Sequence, residues 1–290
     1  MGPATLAGSW DTTSPLTAFI LGLPDVLAVK SMKTLAMAFV KSRSNGSERL
    51  LMYGGHVIKC GLGPLLCRWI RDGVFTAVAT NGAGSIHDME LAIFGQTSED
   101  VQKGIADGSF GMWRETGDMY ASALEGSGGL GEGIGRVILA RGGDPEVSPL
   151  AMAVQKGIPG TVHPSLGCDI VHPLPAVSWE KLAAAAERDF NRFGTVLGNL
   201  GGGVTVNAGS AVVMPEVFLK ALTCARNLGF EVSDITCADF DMIRQYRPSQ
   251  NVLARPVAAL GGVALSVTGH HEIMLPLLDA FIRTAEVENA

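Results

Sequence analysis

The sequence predicts an α/β protein with a doubly wound parallel sheet, and three observations lead there. Two apolar strand-like runs, Leu50 to Tyr53 and Thr76 to Thr80, each end in a glycine-rich turn that leads into a helical pattern. The same strand-then-helix rhythm resumes in the second half of the chain, and such alternation implies parallel pairing through right-handed crossovers. With 290 residues, 47% of them hydrophobic, the chain can bury a core for one large domain. In open sheets of this kind ligands bind outside the carboxyl ends of the strands, where backbone amides and helix N-termini converge.

From Pro24 to Lys41 the apolar residues Val26, Leu27, Val29, Met32, Leu35, Ala36, Phe39 and Val40 recur at helical spacing until Ser44, Asn45 and Gly46 break the pattern. Strand Leu50 to Tyr53 follows, then the GGHVIKCG turn, a helix through Trp69, strand Thr76 to Thr80 and a helix beginning near His87. The stretch from Ser98 to Arg141 reads as acidic helical fragments joined by glycines, a candidate lid. Beyond it, Leu150 to Lys156 is helical, Gly160 to His163 a short strand, Trp179 to Arg192 a helix, and Gly194 to Leu200 a buried strand ending in Gly201, Gly202 and Gly203. Pro215 to Asn227 is a helix, Glu231 to Cys237 and Gly261 to Val267 are strands, and Ile273 to Thr284 closes the chain as a helix. The expected organisation is one domain over residues 1–290, with a helical extension at 1–48 and a glycine-rich insert at about 98–141.

Composition narrows the function classes. The formal net charge is -6 and charged residues make up 17%, so no basic stripe exists to neutralise nucleic-acid phosphates. The first residues lack the basic start and apolar core of a secretory leader, and no run reaches membrane-spanning length. Five cysteines scattered without paired spacing argue against a disulfide framework or a zinc cage, so a reducing cytoplasm is the expected setting. With 37 glycines and so little charge, the chain is expected to cover part of its surface with copies of itself.

The histidines mark the candidate chemistry. His56 and His87 sit at the two glycine turns, His163 and His172 flank Asp169, and His270 with His271 precedes Glu272. All six are expected at strand ends, where an imidazole can act as acid, base or ligand. A metal held by His163, Asp169, His172 and His270 is a second possibility. Lys59 in the first turn is a candidate nucleophile or phosphate contact, and Asp88 a helix cap. The triple glycine Gly201 to Gly203 reads either as a close-approach surface for a flat or phosphorylated ligand or as a packing device. Arg244, Tyr246, Arg247 and Arg255 form a local cationic stretch suited to a carboxylate or phosphate. GxGxxG, the P-loop and GxSxG are all absent.

Taken in order, these segments resemble the deoxyhypusine synthase family from about Leu50 onward. GGHVIKCG, with Gly55, His56 and Lys59, stands where the family has its TSNLISSG turn, and TNGAGSIHD, from Thr80 to Asp88, is similar to TTAGGVEED. SLGCD aligns Asp169 with the aspartate of ALTDG, and LGGGV is retained at Leu200 to Val204. The resemblance implies a three-layer NAD-binding fold, a homotetramer, and oxidation and group transfer on a polyamine or other small amine. It implies that Gly55, His56, Asn81, Gly82, Ala83, Gly201 to Gly203, Asp241 and His270 line NAD, while His87, Asp169, His172, His271, Lys59 and Asn207 face the substrate. Asn207 replaces the family's histidine after LGGGV, and Arg255 or Pro256 falls where the catalytic lysine belongs. Arginine stays protonated and forms no imine, so the chemistry implied here is an altered form of the family's. A metal-dependent hydrolase or lyase, and a ligand-sensing scaffold, are the competing readings.

Overall fold

A computed structural model describes residues 15–97 and 101–289; the leader reading, and the first residues of the insert, lie outside them. Among the described residues, six strands form one all-parallel sheet in the order β3-β2-β1-β4-β5-β6. The strands are β1 (Arg49–Tyr53), β2 (Ala77–Asn81), β3 (Gly160–His163), β4 (Val204–Ala208), β5 (Ile235–Asp241) and β6 (Gly262–Thr268). Strand order therefore reverses between β1 and β4, the topological switch point at which open α/β sheets place their ligands.

Side-chain alternation divides the core. Leu51, Tyr53, Val206 and Phe240 point to one face, covered by α2 (Leu27–Ser44), α4 (Gly63–Arg71) and α13 (His271–Glu288), with α1 (Leu16–Gly22) beside them. Leu50, Met52, Ala79 and Cys237 point to the other, beneath α10 (Trp179–Gly198) and α11 (Val213–Asn227). Strand β1 is buried throughout, which explains its uninterrupted apolar run. A third cluster joins α5 (Gly82–Phe94), α7 (Arg114–Ala123), α8 (Leu130–Ala140) and α9 (Pro149–Lys156) near β3. The short helices α3 (Gly55–Lys59), α6 (Val101–Asp107) and α12 (Arg255–Leu260) complete the set, and a π-helical turn at Pro248–Ala254 runs into α12. No helix among the described residues is long and apolar enough to cross a membrane.

Several sequence expectations change. GGHVIKCG forms the helix α3 rather than a loop, and α5 begins at Gly82, not near His87, because the Asn81 side chain accepts the Gly84 amide and caps it. The expected strand at Gly194 to Leu200 belongs instead to α10 and the turn after it, so Gly201 to Gly203 precede β4. An apolar run of that length reads equally as helix or strand from periodicity alone. The triple glycine consequently lies at the amino edge of the sheet, opposite the carboxyl edge where sheets of this kind bind ligands, and a Cβ on Gly203 would overlap the Glu48 carbonyl. Strand β5 starts four residues later than expected, at Ile235.

The glycines of the insert also have packing roles. Gly131, Gly133 and Gly135 lie inside α8, and a Cβ on them would run into the carbonyls of Gly160, Ala123 and Leu150. Asp189 from α10 anchors this helix, its Oδ2 accepting the amides of Gly131 and Val162 at 2.8 Å each.

Candidate functional site at the carboxyl ends of the strands

At the switch point the chain is held together by missing side chains. A Cβ on Gly54, directly after β1, would overlap the carbonyl oxygen of Gly209, directly after β4. A Cβ on Gly55 would sit 3.2 Å from that of Ala83, so α3 and α5 begin in contact. Gly209 has φ +64°, a left-handed conformation that favours glycine, and the His271 ring lies beside it. The His56 and His271 rings meet edge-on at 5.6 Å, linking α3 to α13. Helix α13 is itself fixed by Asp279, which accepts from Trp69 Nε1 at 2.7 Å and from Arg68 Nη2 at 2.6 Å. His56 and His270 are exposed here, and Asn81 and Ala83 are half-buried.

Beyond this junction, β4 and β5 end in a closed polar cluster. Asn207 and Asp239 are register partners, and Asn207 Nδ2 donates to Asp239 Oδ1 at 2.7 Å and to the Ser210 carbonyl at 3.0 Å. Burial pushes the Asp239 carboxyl up to about 6 against the Asn207 bond, and the neighbouring Asp241 adds to the rise. His271 Nε2 lies 3.2 Å from the Phe240 carbonyl, an acceptor only, so Nε2 carries the ring proton and Nδ1 is bare. Asn207 Oδ1 and His271 Nδ1 are buried acceptors without a donor among the described residues. Burial also lowers the His271 imidazole below its usual range. Asp241, at 7% exposure, accepts the Met242 amide at 2.7 Å.

On the other side of the switch point a cavity of about 550 Å³ opens between α3, α5 and the insert. Lys59 and His87 line it, with Glu90, Trp113, Glu115 and Thr116. His87 Nδ1 lies 2.8 Å from Thr97 Oγ1, which donates to Glu90 Oε2 at 2.6 Å, and Thr116 Oγ1 donates to Glu90 Oε1 at 3.1 Å. Burial raises the Glu90 carboxyl, but the nearby His87 imidazole, 3.8 Å away, and the hydroxyls of Thr97 and Thr116 outweigh it and hold the group below the usual range. Helices α6 and α7 of the insert reach the cavity wall through Val101, Glu115 and Thr116; the glycine-rich α8 does not line it.

Asp169 and His172 form a separate, closed pair. The Asp169 carboxylate covers Gly82, where a Cβ would overlap it, and accepts the Ser165 amide at 3.2 Å. His172 Nδ1 accepts the Gly167 amide at 3.0 Å, so its proton is on Nε2, 3.5 Å from Asp169 Oδ2. Burial raises the aspartate and lowers the histidine, which drives both toward neutrality. Gly82 is thus covered by this chain's own carboxylate. His163 is a core histidine: it bonds Thr161 Oγ1 at 3.1 Å, packs on Phe193, and burial lowers it to about 3.

The four residues of the metal reading are not assembled in this chain. His163 ends β3 and Asp169 and His172 follow it, whereas His270 follows β6 at the opposite edge, five strand spacings or roughly 24 Å away. No cluster of three or more His, Cys, Asp or Glu able to hold a metal occurs among the described residues. The cationic stretch is partly committed: Arg247 Nε donates to Glu216 Oε1 at 3.0 Å and Arg255 Nη1 to Asn251 Oδ1 at 2.6 Å. Asp88 does cap a helix, but α9 rather than its own, accepting the Leu150 amide at 3.0 Å.

No family model and no curated protein sequence matches the chain. Solved structures match its fold. AgrE, crystallised as a ternary complex with ornithine and NAD+, superposes with a TM-score of 0.56 at 17% identity over 89% of this chain and 33% of AgrE. An LOR/SDH protein from Methanococcus maripaludis S2 gives 0.52 at 17% identity over 100% of this chain and 74% of that one. A protein from Entamoeba histolytica described as a deoxyhypusine synthase gives 0.55 at 8% identity over 95% of both chains. This chain spans about a third of the length of AgrE. At these identities the similarity shows the fold, a six-stranded parallel sheet flanked by helices.

Proposed function

We propose that this protein is an NAD-dependent enzyme acting on a small amine, with the dinucleotide across the carboxyl ends of β1 and β4 and the amine in the cavity beside α5. The strand-order reversal between β1 and β4 carries this reading, because it forms the crevice at which doubly wound sheets bind dinucleotides. AgrE, which shares the fold, was crystallised with NAD+ and an amine-bearing ligand, ornithine.

The chain's own groups suit such a ligand. Asn207 Oδ1 and His271 Nδ1 are buried acceptors lacking donors among the described residues; if the cluster opened on binding, the ribose hydroxyls or carboxamide of a dinucleotide could donate to them. His56, Asn81, Ala83, Asp241 and His270 surround the same edge and would hold it. A dinucleotide held there would supply a hydride acceptor for a carbon that bears an amine. An ammonium must first lose a proton, and His87 on the cavity wall is the group placed to take it. Lys59 shares that wall and takes the role of carrying an imine if group transfer follows. We carry a homotetramer as part of the same reading, with light scattering as its test.

NADH fluorescence with purified protein tests the assignment: saturable binding at or below about millimolar concentration, and NADH formation from NAD+ when small primary amines or polyamines are added. Absence of binding over that range removes it.

A further inference from the structure

We propose that Glu90 and Thr97 act through His87 as a hydrogen-bond relay that moves no proton, fixing its imidazole with hydrogen on Nδ1 and leaving Nε2 as the base for the cavity. Which atoms can donate decides the tautomer. Glu90 accepts a hydroxyl proton on each oxygen and its carboxyl is held below the usual range, so as a carboxylate it can only accept. Thr97 Oγ1 at 2.6 Å gives its single proton to Glu90 Oε2, so toward His87 it has only lone pairs. Nδ1, 2.8 Å from that oxygen, must then be the donor, and a neutral imidazole with its proton on Nδ1 has a bare Nε2. Thr116 occupies the other Glu90 oxygen at 3.1 Å, which leaves the carboxylate committed to orienting His87.

Local structure explains how the parts meet. His87 and Glu90 are three residues apart on α5 and therefore share a face. Gly95, with φ +67°, ends α5 in the left-handed conformation and turns the chain so that Thr97 lies over that face. Thr116 comes from α7, so the insert completes the relay rather than only covering it.

This inference rests on the amine reading for its substrate. The step breaks the ammonium N–H bond; the electron pair stays on nitrogen and the proton passes to Nε2. The resulting imidazolium faces the Glu90 carboxylate, 3.8 Å from Nδ1, which offsets its charge. Glu90 and Thr97 are positioning residues, since neither gives or takes the substrate proton.

The test uses the full chain labelled with ¹⁵N-histidine, with the His87 signals assigned by their loss in His87→Gln. Long-range ¹H–¹⁵N correlation at alkaline pH is expected to show Nδ1 protonated and Nε2 bare. Thr97→Val should lower kcat for the amine by about 10- to 100-fold with KM within about threefold, and Thr97→Ser should restore it. A neutral His87 protonated on Nε2 in the unsubstituted protein, or a Thr97→Val variant with kcat within twofold of it, overturns the relay. NADH binding in the same samples separates the two ideas: the stated tautomer without dinucleotide binding leaves the relay standing and removes the proposed function.

Discussion

At the cavity beside α5 both oxygens of Glu90 accept hydroxyls and the whole arrangement borders open space, whereas at the ends of β4 and β5 the polar atoms are enclosed and two acceptors lack donors. Both regions combine an imidazole, a carboxylate and a neutral partner. They differ in what has been left unmade. Behind His87 the hydrogen bonds are complete, which holds its imidazole in one orientation facing the cavity. Around Asn207 and His271 they are incomplete, which stores a desolvation cost that a donor-rich ligand would relieve. On the proposed function, proton transfer falls on one side of the switch point and cofactor recognition on the other.

The largest expected effect divides the two regions directly. His87→Gln should reduce amine turnover by about 10²- to 10⁴-fold while NADH affinity stays within twofold; a matching loss of affinity would merge the regions. Asn207→Leu acts on the other side by leaving Asp239 buried without its donor. It should destabilise the protein by roughly 2–4 kcal/mol in urea unfolding, and a change under about 0.5 kcal/mol would mean that the cluster is hydrated.

Asp88 sharpens the contrast within α5 itself, since this residue next to His87 is fully buried and burial pushes its carboxyl up to about 7. A folded value above the ordinary 3.8 means that the native state holds the extra proton. Its stabilising contribution is therefore present at low pH and lost as pH rises toward 7. Asp88→Asn should match the unsubstituted protein near pH 4 and exceed it at pH 8 by on the order of 3 kcal/mol, measured by unfolding at both values. Gly54→Ala, which forces a methyl into the Gly209 carbonyl, should cost about 1–3 kcal/mol and weaken NADH binding. The smallest effect belongs to Gly201→Ala: a Cβ there meets nothing closer than 3.5 Å, at the edge away from the crevice, so NADH affinity should not move.

The βαβ rhythm was legible because buried central strands and amphipathic helices leave different periods, and β3 matches its expected bounds. The Gly194 to Leu200 run was misread because an apolar helix end and a buried strand look alike in composition, and that displaced the triple glycine to the wrong end of β4. The histidines do lie toward the carboxyl ends of strands, yet their environments were not readable: His163 became core, His172 was closed off with Asp169, and of the substrate-facing set only His87 and Lys59 line the large cavity. Glu90 could have been found from its three-residue spacing to His87. Thr97 could not, because it reaches His87 only through the left-handed turn at Gly95, and Thr116 and Asp239 could not, because their roles depend on contacts across the insert and the sheet.

A crystal structure of the protein soaked with NAD+ tests the central claim most directly. The account predicts the dinucleotide over the carboxyl ends of β1 and β4, between His56 and Gly209, with the cavity beside His87 left open for the amine. A dinucleotide bound at the amino edge near Gly201 to Gly203, or none at saturating concentration, would contradict it.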